Sequence, residues 1–191
     1  MSGKKRGCTR NSRFAAVLAV LILLSAQGSA HAVNLTIGQT APDFTVAGLG
    51  ERSVSLHDYR GGVTAVMFWS SWCSRCREEL TFFEGMKAKY PSVRFLAVNC
   101  ETDQPGAEDI ARMKQAVEEW NLTFDTGVDE GLRVWDLYQI NALPTTVIVD
   151  PEGKVLFVQA NFVLESPEVI DNALHSAITT TAGMTAIRAA D

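Results

Sequence analysis

The stretch from Val63 to Trp69 leaves this chain the least choice of fold. It is a nearly unbroken apolar run, preceded by Gly61-Gly62. A strand with one wet face alternates apolar and polar side chains. A strand that does not alternate is covered on both faces. Cys73-Ser74-Arg75-Cys76 follows at once, and after it Leu80, Phe83, Met86 and Tyr90 fall on one stripe. That spacing predicts a helix from about Ser74 to Tyr90. Val93 to Val98 reads as a second buried strand. Strand, helix and strand in this order form a crossover unit, so the two strands are expected to run parallel.

The remaining segments fit around this unit. Residues 33–43 form an extended lead-in containing Pro42. Phe44–Val46 and Ser53–Leu56 flank Gly48-Leu49-Gly50 and predict a small hairpin. Ala107 to Trp120 carries Ile110, Met113, Val117 and Trp120 at helical spacing, and a short helix is expected over Glu130–Tyr138. Thr145–Val149 and Lys154–Gln159 read as strands joined by the turn Asp150-Pro151-Glu152-Gly153. Ser166-Pro167 is a cap and first turn for a last helix to about Ile178. Periodicity is lost beyond Thr179, so 181–191 is expected to be a disordered tail. The fold class is α/β, with one mixed sheet flanked by helices.

The first 32 residues have the layout of an export signal. Lys4, Lys5, Arg6, Arg10 and Arg13 precede an apolar run from Phe14 to Leu24, and Ala30-His31-Ala32 supplies the small-x-small cleavage pattern. The apolar run is too short for a membrane span, which takes ~20 residues. Cleavage after Ala32 is expected, with retention as an anchor as the alternative. Cys8 lies ahead of the apolar run and is not placed for lipidation. Cleavage would leave a single domain over 33–180 plus the tail, with no membrane span. The mature chain would carry 12 Lys and Arg against 22 Asp and Glu, a net charge of −10. That balance argues against nucleic acid or anionic lipid as a partner. The expected location is the periplasm or another exported compartment, and the expected state is a monomer.

Three cysteines would remain: Cys73, Cys76 and Cys100. Two close together and one apart fit a redox pair better than a disulfide scaffold, which uses more cysteines and an even number. The pair falls where a buried strand gives way to a helix. Unpaired N–H groups and the helix dipole favour an anion there. A free thiol has a pKa of ~8.5, and in such a setting it can fall to roughly 3.5–7.5. Cys73, the more exposed of such a pair, is expected to be the nucleophile, and Cys76 the resolving thiol. Ser74 and Arg75 lie between them and are expected to tune the couple. Arg75 would favour the thiolate and so the reduced form; alternatively it is a solvated first-turn residue. No cofactor is expected beyond a redox-active Cys73–Cys76 disulfide, and no metal.

Trp69-Ser70-Ser71-Trp72-Cys73-Ser74-Arg75-Cys76 resembles the W-x-x-W-C-x-x-C segment of thioredoxin-like proteins. Ala41-Pro42-Asp43-Phe44 and Ala142-Leu143-Pro144-Thr145-Thr146 resemble segments of the exported TlpA/ResA-like, redoxin branch, as does an extra helical segment at 107–120. The resemblance runs from about 40 to 178. It implies a thioredoxin fold with an N-terminal hairpin extension and a helical insertion. It implies a thiol–disulfide oxidoreductase acting on cysteines of exported proteins, as in cytochrome c maturation, and supplied by a membrane thiol–disulfide electron donor. It also implies a cis Leu143–Pro144 peptide facing the cysteines, with Leu143 offering main-chain hydrogen bonds to substrate and Trp72 shaping the surface. Thioredoxin carries a buried Asp six residues before its first cysteine, where this chain has Met67. Glu79 lies where the branch carries an acid, and the resemblance gives it the proton-handling role. The alternative is a solvated glutamate beside Glu78.

Two other functions compete. A thiol peroxidase would use one attacking cysteine in a P-x-x-x-T/S-x-x-C segment; Ser70 fits its hydroxyl position, but Val66 replaces the proline. A copper-delivery module could use two thiolates, but the mature histidines His57 and His175 lie far from the pair in sequence. Cys100 follows the second parallel strand and is either a third redox thiol near the rim or an inert buried one.

Overall fold

A computed structural model describes residues 35–50 and 52–188, with side chains up to 183. The export segment expected over 1–32 lies outside the described residues. Seven strands form one mixed sheet: β1 (Thr45–Gly48), β2 (Val54–Ser55), β3 (Thr64–Trp69), β4 (Arg94–Asn99), β5 (Asp125–Val128), β6 (Thr145–Val149) and β7 (Val155–Ala160). Their spatial order is β2-β1-β5-β4-β3-β6-β7. Among the described residues the α-helices are α1 (Ser74–Lys89), α2 (Ala107–Glu119), α3 (Arg133–Tyr138) and α4 (Ser166–Arg188). Among the described residues no helix is long and apolar enough to cross a membrane.

All six residues of β3 are buried, because the strand feeds two cores. Its side chains alternate across the sheet. Ala65, Met67 and Trp69 face one layer with Leu80 and Phe83 of α1, Met113 of α2 and Leu174 of α4. Val66 and Phe68 face the other with Phe44, Leu96, Val147 and Tyr138 of α3. Burying an apolar side chain of this size stabilises by about 1.5–3 kcal/mol. Trp69 meets Trp120 edge-on with ring centroids 5.4 Å apart, and Phe68 meets Tyr138 at 5.2 Å. The crossover runs as expected: β3 and β4 are parallel, with Thr64 opposite Arg94 and Trp69 opposite Asn99. α1 ends where Tyr90 leaves helical geometry. Pro91 enforces this, since a residue before proline is disfavoured in the α region.

Three elements differ from expectation. β5 was not anticipated, yet it lies between β4 and β1, parallel to the first and antiparallel to the second. Its sequence Asp-Thr-Gly-Val carries little strand signal. Gly127 is required by close approach, since a Cβ there would lie 2.4 Å from Val46 Cγ2. The expected helix over Glu130–Tyr138 is broken. A 3-10 turn at Glu130–Leu132 precedes α3, with Gly131 at φ 76° and Leu132 at φ 49°. The helix restarts because the Asp129 carboxylate accepts the N–H groups of Val134 at 3.0 Å and Trp135 at 2.8 Å. Finally, α4 continues past Ile178 to Arg188, so part of the segment expected to be a disordered tail is helical. Once a helix is nucleated, each added residue costs little. Thr179 Oγ1 donates to the His175 carbonyl at 3.0 Å and Thr181 Oγ1 to that of Ala177 at 2.8 Å, so hydroxyls there are satisfied without breaking the helix.

Candidate active site

Sheet direction gathers the site. β3 and β4 are parallel, so the turn after Trp69 and the turn after Asn99 leave the same edge. β6 is antiparallel to β3, with Phe68 opposite Thr145, so the segment before Thr145 begins at that edge too. Cys73, Cys76, Glu79, Leu143 and Pro144 all derive from these junctions. The Leu143–Pro144 peptide is cis.

Cys73 and Cys76 are joined as a disulfide with their Cα atoms 5.2 Å apart. Cys73 is the N-cap of α1, in extended geometry at φ −91° and ψ 108°, and is half-buried. Its sulfur accepts the Cys76 backbone N–H at 3.1 Å. In the reduced protein the same N–H and the helix terminus would favour a thiolate on this sulfur. Cys76 is fully buried against Trp69 and Leu80. Access thus differs between the two cysteines: Cys73 is half-buried at the margin of the core and Cys76 is fully buried within it.

Glu79 lies one turn further along α1 and is 1% exposed. Its Oε1 accepts the Thr146 hydroxyl at 2.9 Å, while Oε2 has no partner among the described residues. Burial pushes its carboxyl up to about 8, and the Thr146 hydrogen bond offsets only part of that. A carboxyl titrating near neutrality can give or take a proton at little cost. Trp72 is 68% exposed on the turn before Cys73. Arg75 and Ser74 are exposed, and the Arg75 guanidinium pairs with Glu78 at 3.0 Å. An exposed paired cation contributes weakly. Pro144 is buried, and its carbonyl accepts the Asn161 N–H at 2.7 Å; Leu143 is half-buried beside it.

Cys100 reaches the rim only with its main chain, whose N–H donates to the Trp69 carbonyl at 2.9 Å. Its side chain turns to the layer opposite Cys76 and is 5% exposed. Burial, followed by the Asp129 carboxylate 3.9 Å from the sulfur, pushes this thiol well above its ordinary value. Ser70, the hydroxyl on which a peroxidase reading leans, is fully buried, and its Oγ has no partner among the described residues.

Two features of the site escape sequence reasoning. Thr146 is the partner of Glu79, and it stands in the segment that marks the cis proline. Glu101 and Arg112 bind the turn at Ser71 through hydrogen bonds between residues 30 and 41 positions apart. No spacing rule connects them.

Residues 37–158 match the AhpC/TSA family. The thiol-disulfide oxidoreductase ResA of Geobacillus thermodenitrificans is 33% identical over 145 residues, covering 71% of this chain and 80% of the relative. ResA of Bacillus cereus is 29% identical over 147 residues, covering 73% and 83%. Among solved structures, a protein of Chlorobium tepidum assigned as the thiol:disulfide interchange protein DsbE superposes with a TM-score of 0.69 at 27% identity, over 75% of this chain and 99% of that one. With a cysteine pair at the cap of α1 and relatives of this kind over most of its length, the chain belongs to the AhpC/TSA family as a ResA-like thiol–disulfide oxidoreductase of thioredoxin fold.

Proposed function

We propose that the protein is exported and exchanges its Cys73–Cys76 dithiol with disulfides of other exported proteins, Cys73 being the attacking sulfur. The observation that carries this is the contrast between a half-buried Cys73, whose sulfur accepts a helix N–H at 3.1 Å, and a fully buried Cys76. In the reducing direction the Cys73 thiolate attacks one sulfur of the substrate disulfide. That S–S bond breaks, and the departing sulfur leaves as a thiolate that takes a proton. Cys76 then loses its proton to the Glu79 carboxylate and attacks Cys73 Sγ. The mixed disulfide breaks, the second substrate sulfur leaves, and two electrons have passed to the substrate. In the oxidising direction a protonated Glu79 returns the proton to Cys76. A carboxyl near 8 serves both directions.

Trp72, Leu143 and Pro144 are the proposed docking surface, with Leu143 pairing its main chain to an extended substrate. The basic residues and apolar run ahead of Ala32 support export. The likeness to the TlpA/ResA branch supports apocytochrome cysteines as the substrate and a membrane dithiol protein as electron donor. The test is Cys76→Ser expressed in the native envelope. Substrates should accumulate as mixed disulfides on Cys73, released by dithiothreitol, and apocytochromes should be among them. Absence of any trapped polypeptide, together with brisk consumption of hydrogen peroxide by the wild type, would replace this reading with a peroxidase.

A further inference from the structure

The turn that carries Trp72 into Cys73 is held from outside its own strand and helix. Ser71 lies within it, and one ion pair binds both its N–H and its hydroxyl. The Ser71 backbone N–H donates to Glu101 Oε2 at 2.7 Å. Arg112 Nε, on α2, donates to Ser71 Oγ at 3.2 Å. Arg112 also donates to Glu101 Oε1 at 2.8 Å and to Asp109 Oδ1 at 2.6 Å. Asn99, the last residue of β4, adds a third donor to Glu101 at 3.2 Å. An exposed ion pair is ordinarily worth little. Here the carboxylate is not exposed: the Glu101 side chain is 1% accessible, against 49% for Arg112. Burial opposes its ionisation, but the Ser71 N–H and hydroxyl, Arg112 and Asn99 outweigh burial and hold its carboxyl below the usual range. A full negative charge therefore sits against the turn, two residues from Cys73, and Arg112, shared with Asp109, offsets part of it. The ionisable groups on the first turns of α1 are Arg75, already paired with Glu78, Arg77, and the buried Glu79, which is common to all the variants compared.

We propose that Glu101 and Arg112 are positioning residues for disulfide exchange, which together hold the Ser70–Cys73 turn and balance the charge felt by the Cys73 thiolate. The helix inserted between β4 and β5 thereby acts on the redox pair without touching it. This rests on Cys73 being the attacking sulfur.

The variants Arg112→Gln and Glu101→Gln give opposite signs. Arg112→Gln leaves the Glu101 charge unbalanced and makes the thiolate harder to form. Glu101→Gln removes that negative charge while Arg112 stays, paired with Asp109 alone, and makes the thiolate easier to form. Both retain hydrogen-bonding groups at the turn; Arg112 lies at the surface, and Gln is isosteric with the enclosed Glu101. The reduced proteins are alkylated with iodoacetamide from about pH 5 to pH 9, and the label is located by peptide mapping. At pH 6 the Cys73 rate should fall about threefold in Arg112→Gln and rise by a similar factor in Glu101→Gln, as expected for one charge at ~10 Å in a half-wet site. The double variant should return close to wild type, and Arg112→Lys should keep the wild-type titration. Mere loosening of the turn would move both single variants the same way. Shifts of the same sign, or none, overturn the proposal while leaving the Cys73 assignment intact. If Cys76 takes the label before Cys73 in the wild type, the assignment of the nucleophile fails and this inference fails with it.

Discussion

The ends of β3 and β4 lie side by side at one edge of the sheet, and each delivers a cysteine there, with opposite results. After β3 the chain turns out and caps a helix, so Cys73 is half-exposed and receives an N–H from Cys76. After β4 the side chain of Cys100 turns inward, against Val98 and the Asp129 carboxylate. One sulfur is offered a donor and the other a negative charge. If Cys73 is the attacking sulfur, as proposed, position at this edge is not what makes a thiol reactive here. Which way the side chain leaves the strand, and which pole of a local dipole it meets, decides it.

The sharpest way to break this contrast is to remove each sulfur in turn. Cys73→Ala should lower dithiothreitol-coupled reduction of insulin by at least about a thousandfold, whereas Cys100→Ser should leave the rate within about twofold. Equal losses in the two would end the distinction. Next in size is Glu79→Gln, which removes the only proton acceptor assigned to Cys76. Single-turnover resolution of a mixed disulfide should slow by about a hundredfold, and the inflection near pH 8 should vanish from its pH profile.

The same substitution has a signature in stability. The Glu79 carboxyl titrates at its ordinary 4.5 when unfolded and at about 8 when folded. Between those values the folded chain holds a proton that the unfolded chain has released. Stability therefore falls as pH rises through that window, by about 5 kcal/mol in all. Urea denaturation of the oxidised protein at about pH 5 and pH 8 should show this slope in the wild type and its loss in Glu79→Gln.

A smaller effect is expected of Asp129→Asn. Removing the charge should bring the Cys100 thiol closer to an ordinary value, while weakening the cap of α3 at a cost of about 1 kcal/mol. Thermal denaturation measures the second effect, and the pH dependence of Cys100 labelling the first. Smallest of all is Arg75→Ala. Its guanidinium is exposed and paired, so the Cys73 alkylation rate at pH 6 should change by less than about twofold.

Much of the fold could be read from local pattern. The unbroken run in β3, the stripe on α1 and the turn at Asp150–Gly153 are properties of short windows. β5 is not: Asp125–Val128 becomes a strand only because β4 and β1 offer it partners on both sides. The break before α3 likewise depends on Asp129 reaching Val134 and Trp135, and on Gly131 donating its N–H to Asp103 at 2.7 Å. The site divides the same way. Cys73, Cys76, Glu79 and Pro144 stand in recognisable segments. Thr146 meets Glu79 across 67 positions, and Arg112 meets Ser71 across 41, through tertiary packing alone.

The two-sided burial of β3 has a practical corollary. A slip of one residue along β4 or β6 would exchange the side chains assigned to the two layers, turning Met67 and Trp69 towards α3. The same slip along β6 would shift the turn after Trp69, and Cys73 with it, against the segment that leads into Thr145. A misthreaded molecule thus forfeits its interior and its catalytic competence in a single event, so turnover per molecule doubles as an assay of correct assembly.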